Sequence, residues 1–118
     1  MNTYVVWIET ERARIFKVLP GGPALKTLRT REIKHQVGRD PENKKNYDGF
    51  FKNITKTISD ADEILLLGPK FTKDHFKTYL NHHEDILGHC VVGIVTLDSE
   101  SDAQLIAHST EFFKEYDR

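Results

Sequence analysis

A single cysteine, Cys90, is all the thiol chemistry in this 118-residue chain, so no internal disulfide can brace it. Nor does any stretch approach the ~18–20 consecutive apolar residues that a membrane-spanning helix needs. The start, Met1-Asn2-Thr3-Tyr4-Val5-Val6-Trp7, lacks the basic head and small-residue cleavage site of a secretory signal. Together with the lone thiol this predicts a reducing, cytoplasmic setting. There is no strong excess of either charge: the net is −1, which excludes a general attraction to nucleic acid. Internal repeats and low-complexity tracts are missing, and so is a glycine-rich phosphate loop, since only Gly68 precedes Pro69 and the helix expected after it.

What is present is a chain 38% hydrophobic and 30% charged, the balance of one globular domain spanning residues 1–118. Tyr4 to Ile8 is an unbroken apolar run, which predicts a central strand over Thr3–Glu9 covered on both faces. Arg12–Val18 is a second strand, and Leu19-Pro20-Gly21-Gly22-Pro23 is the strongest break in the chain. A third strand is expected from Ala24 to about His35. It carries Leu25, Thr27, Arg29, Arg31, Ile33 and His35 on one side and Lys26, Leu28, Thr30, Glu32 and Lys34 on the other. Charges on both sides suit an edge strand. Gln36–Asn46 is a polar loop. Tyr47, Phe50, Phe51, Ile54 and Ile58 recur at helical spacing, with Phe50 and Phe51 assigned to the core. A buried strand, Glu63–Leu67, precedes a second helix with Thr72 as its N-cap and Phe71 and Phe76 as a hydrophobic staple. Another buried strand over Cys90–Leu97 and a third helix, capped by Ser99 and carrying Leu105, Ile106, Ser109, Phe112, Phe113 and Tyr116, complete the chain. The order β-β-β-α-β-α-β-α, with right-handed crossovers, predicts a three-layer α/β/α domain. Its mixed five-stranded sheet has the order 3-2-1-4-5, an RNase H-like arrangement.

Three segments carry a family resemblance: Ala13-Arg14-Ile15-Phe16, Asp60-Ala61-Asp62-Glu63-Ile64-Leu65-Leu66-Leu67-Gly68-Pro69, and Phe71-Thr72-Lys73-Asp74-His75-Phe76. With them the chain resembles the middle domain of the archaeo-eukaryotic peptide release factors and of Pelota, the ribosome-rescue factor. Stand-alone bacterial relatives, labelled translational machinery or host attachment proteins, are more similar still, sharing a late segment like Asp102-Ala103-Gln104-Leu105-Ile106-Ala107. The resemblance implies the same sheet and a place in translation. It also frames two departures. Lys70 stands where the family has a second glycine after Gly68-Pro69. The loop between third strand and first helix, Lys34 to Asn46, contains no Gly-Gly-Gln, the tripeptide with which release factors place water against the peptidyl ester. Gly21-Gly22 is followed by Pro23 and lies in a different turn. The resemblance therefore implies a module without catalytic residues, binding the ribosome, RNA or a translation protein.

Charge distribution says where. Lys26–Lys45 holds seven Lys/Arg against three acids, a net +4, whereas Asp98–Arg118 nets −4. The binding candidates are Arg29, Arg31, Lys34, His35, Arg39, Lys44 and Lys45: cations that pair with phosphates, and a histidine that donates or stacks. The same cations also serve solubility on an ordinary solvated face. Two other classes stay open. A hydrolase of an ester or phosphodiester would need a pocket joining at least two of His35, Asp40, Glu63 and Asp98. A protein-interaction or oligomerisation module would use the acidic third helix. His75, His82, His83, His89 and Cys90 lack the paired spacing of a zinc site, so no metal and no cofactor is expected.

Overall fold

A computed structural model describes residues 1–35 and 47–116. Its elements are β1 (Thr3–Ile8), β2 (Arg12–Leu19), β3 (Lys26–Lys34), α1 (Asp48–Thr57), β4 (Glu63–Gly68), α2 (Thr72–His83), α3 (Asp85–His89), β5 (Val91–Thr96) and α4 (Asp102–Tyr116). The sheet runs β3-β2-β1-β4-β5, with β1 antiparallel to β2, β2 antiparallel to β3, and β1–β4 and β4–β5 parallel. This is the expected order.

β1 is buried over its whole length because it is covered on both faces. Tyr4, Val6 and Ile8 point to one side and join Ala13, Ile15, Ile64 and Leu66 of the sheet with Phe50, Phe51 and Ile54 of α1 and Phe76 and Leu80 of α2. Val5 and Trp7 point the other way and join Phe16, Val18, Leu65 and Leu67 with Leu105 and Phe113 of α4. Burying each of these large side chains contributes about 1.5–3 kcal/mol against leaving it in water. The α4 layer is also tied down by polar contacts. Trp7 Nε1 donates to the Leu97 carbonyl (3.2 Å). The Arg14 guanidinium lies 4.7 Å over the Trp7 ring and pairs with Asp102 at 2.9 Å.

Several local expectations are corrected. α3 is an additional helix between α2 and β5. Thr72 is the first buried residue of α2 rather than its cap, and the capping position, Phe71, makes no side-chain cap bond. The Phe71–Phe76 staple does not form, for Phe76 is buried while Phe71 is 73% exposed. The cap of α4 is Ser101, not Ser99: Ser101 Oγ accepts the Gln104 backbone N–H and Gln104 Oε1 accepts the Ser101 backbone N–H, a reciprocal capping box. β5 is half-exposed rather than buried, because it ends the sheet and has a neighbour on one side only.

The last correction concerns β3. Arg29 sits opposite Lys17 while Thr27 sits opposite Val18, so Leu28 is an extra residue and the strand bulges there. Because a strand alternates faces every residue, the bulge reverses the assignment on its far side. Leu25 therefore packs in the α4 layer, where its backbone N–H donates to Thr110 Oγ1 (3.1 Å), and Ile33 packs in the α1/α2 layer. No helix among the described residues is long and apolar enough to cross a membrane.

Candidate partner-binding site

His35 and Tyr47, the two residues that flank the sequence 36–46, lie side by side. β3 ends at Lys34, and the His35 backbone N–H donates to the Glu11 carbonyl (2.8 Å), so the strand stays on the sheet to its last residue. The His35 ring then stacks on Phe50 (centroids 4.9 Å, planes 13° apart) and lies 4.8 Å from the ring of Tyr47. Its Nδ1 is 2.8 Å from the Thr10 carbonyl. Tyr47 in turn stacks on Phe51 at 5.3 Å. The two residues that bound the segment are thus held ring against ring on the first turn of α1. Aromatic contacts of this geometry add about 0.5–1.5 kcal/mol beyond the area they bury.

β3 presents its cations on two faces. Opposite Lys17 and Ile15, Arg29 and Arg31 share the α1 side with Ile33, while Lys34, one residue further, takes the α4 side. Every residue from Lys26 to Glu32 is exposed. Arg29 is partly engaged: its Nη2 donates to the Tyr4 hydroxyl at 3.4 Å. That hydroxyl donates to Asp60 Oδ1 (2.5 Å), and Lys17 Nζ holds Asp60 Oδ2 at 3.2 Å. The Tyr4 hydrogen bond, aided by Lys17, holds the Asp60 carboxyl below the usual carboxylate range. Burial, then the Asp60 carboxylate, push the Tyr4 phenol up. The cluster ties β1, β2 and β3 to the turn before β4. Of the predicted contact residues, Arg29, Arg31, Lys34 and His35 are spread along β3 at the edge of the sheet, with Arg29 beside Tyr4 at one end of β1 and His35 beside Thr10 and Glu11 beyond its other end, and the structure does not gather them at one point. Arg39, Lys44 and Lys45 lie outside the described residues, as does Asp40. Tyr47, Lys17 and Asp60 were missed; an aromatic residue at each end of a polar segment was the available signal for Tyr47.

The other constellations are spread out. Glu63 begins β4, Asp98 follows the far end of β5, and His35 follows β3 at the opposite rim of the sheet. Among the described residues no group of three or more His, Cys, Asp or Glu side chains is placed to hold a metal ion. After Gly68, Lys73 is 4% exposed, but its ammonium turns back onto the Lys70 carbonyl and lies 3.5 Å from Asp74. Gly68 itself is required by packing, because a Cβ there would come within 2.2 Å of the Ile8 carbonyl oxygen. Between α1 and α3 lies an open groove of about 530 Å³, lined by Lys52, Lys56, Ala61, Tyr79, Glu84 and Ile86 among others. Periodicity gave no sign of it.

No protein-family model matches the chain, and no curated protein is similar to it in sequence. Solved structures are similar in fold. Pelota from Archaeoglobus fulgidus superposes with a TM-score of 0.66 at 14% identity, over 93% of this chain and 31% of that one. An archaeal translation termination factor does so with a TM-score of 0.63 at 17% identity, over 98% of this chain and 40% of that one. The Aquifex aeolicus PPX-GPPA enzyme shares the fold less closely, with a TM-score of 0.50 at 11% identity over 83% of this chain and 36% of that one. The chain spans 31–40% of the length of these structures. At such identities the likeness establishes the architecture, a Pelota- and release-factor-like sheet with helices on both sides.

Proposed function

We propose that this chain is a translation-associated binding module, acting as a single release-factor-middle-domain-like unit in the cytoplasm. It contacts the ribosome, RNA or a translation protein through Arg29, Arg31, Lys34, Arg39, Lys44 and Lys45. The observation that carries the reading is the His35–Tyr47 ring contact, which brings together the two residues that flank the cation-rich sequence 36–46. In this reading His35 anchors the segment, since its ring already packs on Tyr47 and Phe50. Flanking cations then supply phosphate contacts, whose strength falls steeply with salt. The reading is supported by the fold shared with Pelota and the termination factor. The sequence between His35 and Tyr47 has no Gly-Gly-Gln, so the proposal assigns it no peptide release. Kinship with the stand-alone bacterial proteins named above belongs to the same proposal.

Replacing Arg39, Lys44 and Lys45 together by Ala tests it. Co-sedimentation with ribosomes at low salt is expected to fall about tenfold or more, as the loss of three phosphate contacts would require. Co-sedimentation equal to wild type would reject this surface.

A further inference from the structure

Among the described residues the sheet has two open rims, and they differ in how they are protected. β3 carries Lys26, Arg29, Arg31, Glu32 and Lys34 and bulges at Leu28, features that discourage another strand from adding to it. β5 holds no charge and no proline from Val91 to Thr96, and its Ile94 is 39% exposed. Its one bulge, at Val92, lies at its start, opposite Ile64 and Leu65, leaving Gly93 to Thr96 in regular register with β4. The Leu97 N–H bonds inward to the Gly68 carbonyl (2.8 Å). Backbone groups alternate sides along a strand, so those of Ile94 and Thr96 point off the sheet and are offered to a neighbour.

We propose that β5 is a docking edge for a second copy of this chain, the two β5 strands pairing antiparallel about a two-fold axis near Ile94 to form one continuous sheet. Three features favour a second copy over an unrelated segment. An uncharged strand opposes itself without like-charge repulsion, which a symmetric contact would otherwise impose at each self-facing residue. An axis normal to the sheet keeps every residue on its own face, so Ile94 comes opposite its own counterpart and the two exposed side chains cover each other. Antiparallel pairing also carries the exposed His89 end of one strand to the exposed Asp98 end of the other, a complementary pair when the imidazole is protonated. On the α4 side the rim is lined by aromatic rings. Phe112 lies over Gly93 so closely that a Cβ there would come within 2.5 Å of its ring, and Tyr116 stacks on Phe112 at 5.9 Å. This contact lies at the opposite rim of the sheet from Arg29, Arg31 and Lys34.

Light scattering coupled to gel filtration tests the proposal on the full chain. At about 100 µM, where a micromolar interface is saturated, wild type is expected at twice the 13.7 kDa chain mass. Ile94→Lys, which sets two cations face to face, is expected to return it to a monomer. Arg31→Ser on the other rim should leave the dimer intact. Hydrogen exchange of the wild type gives a readout independent of any variant: the Ile94 and Thr96 amides should exchange at least tenfold more slowly at high than at low concentration. A wild-type monomer at every concentration would overturn the proposal. A dimer that survives Ile94→Lys, with no concentration dependence at these amides, would also overturn it.

Discussion

β3 and β5 occupy equivalent places, one on each side of the same sheet, and they are built on opposite principles. β3 is long, charged on both faces and nearly all exposed, with Ile33 as its one buried residue. β5 is short, uncharged and half-covered, with Gly93 fitted under Phe112 and, among the described residues, no strand on its outer side. The difference follows from their neighbours. β3 packs onto the helix layers through Ile33 alone, so its other side chains meet water and the rest of the strand is held by backbone pairing with β2 and a few polar ties. β5 lies between α2–α3 and α4, so its side chains meet apolar surface and only its edge is open. A charged rim suits a polyanionic partner, and an uncharged one suits another strand.

Breaking each rim in turn should separate these modes of support. The largest effect is expected for Ile33→Ala, which removes the one apolar anchor of β3; urea unfolding should show a loss of about 3 kcal/mol, typical of truncating a buried aliphatic residue. Next comes Gly93→Ala on β5, where the new Cβ must displace the Phe112 ring, at about 2 kcal/mol for overpacking. Adding Phe112→Leu should recover part of that loss, a non-additivity visible in the same unfolding curves. Asp60→Ala removes the partner of Tyr4 and Lys17 and should cost about 1 kcal/mol at neutral pH. In the wild type, the Asp60 carboxyl sits below its usual range, so the folded chain takes up that proton less readily than the unfolded chain. Its contribution is therefore complete above the ordinary carboxylate range and fades as pH falls below about 4, the dependence that Asp60→Ala should remove from thermal melts. Smallest is Thr30→Ala, on the exposed part of β3, expected within about 0.5 kcal/mol of wild type.

Much of this was legible in the linear chain. The apolar run of β1, the aromatic stripe of α1 and the charge on β3 each reflect a local pattern that one burial environment imposes, and they led to the observed strand order. The candidate site was legible as a charged region, but not as a geometry. The bulge at Leu28 depends on how β3 meets β2, and no alternation within β3 alone could reveal it. Likewise Ser99 and Ser101 are equally good caps by residue type. Gln104, three residues after Ser101, selects the second only once the helix start is fixed.

The amino-acid sequence by itself determined the five strands, the three longer helices and which strand lies at the centre of the sheet, though not the short α3, because burial on one face, two faces or none leaves its mark at the scale of a few residues. Only the tertiary structure decided that Leu25 and Ile33 lie on opposite faces, that His35 packs against Tyr47 and Phe50, and that β5 is left with an open backbone. Each of these depends on groups far apart in the chain being brought together, and the free energy of such contacts is set by their geometry rather than by residue type.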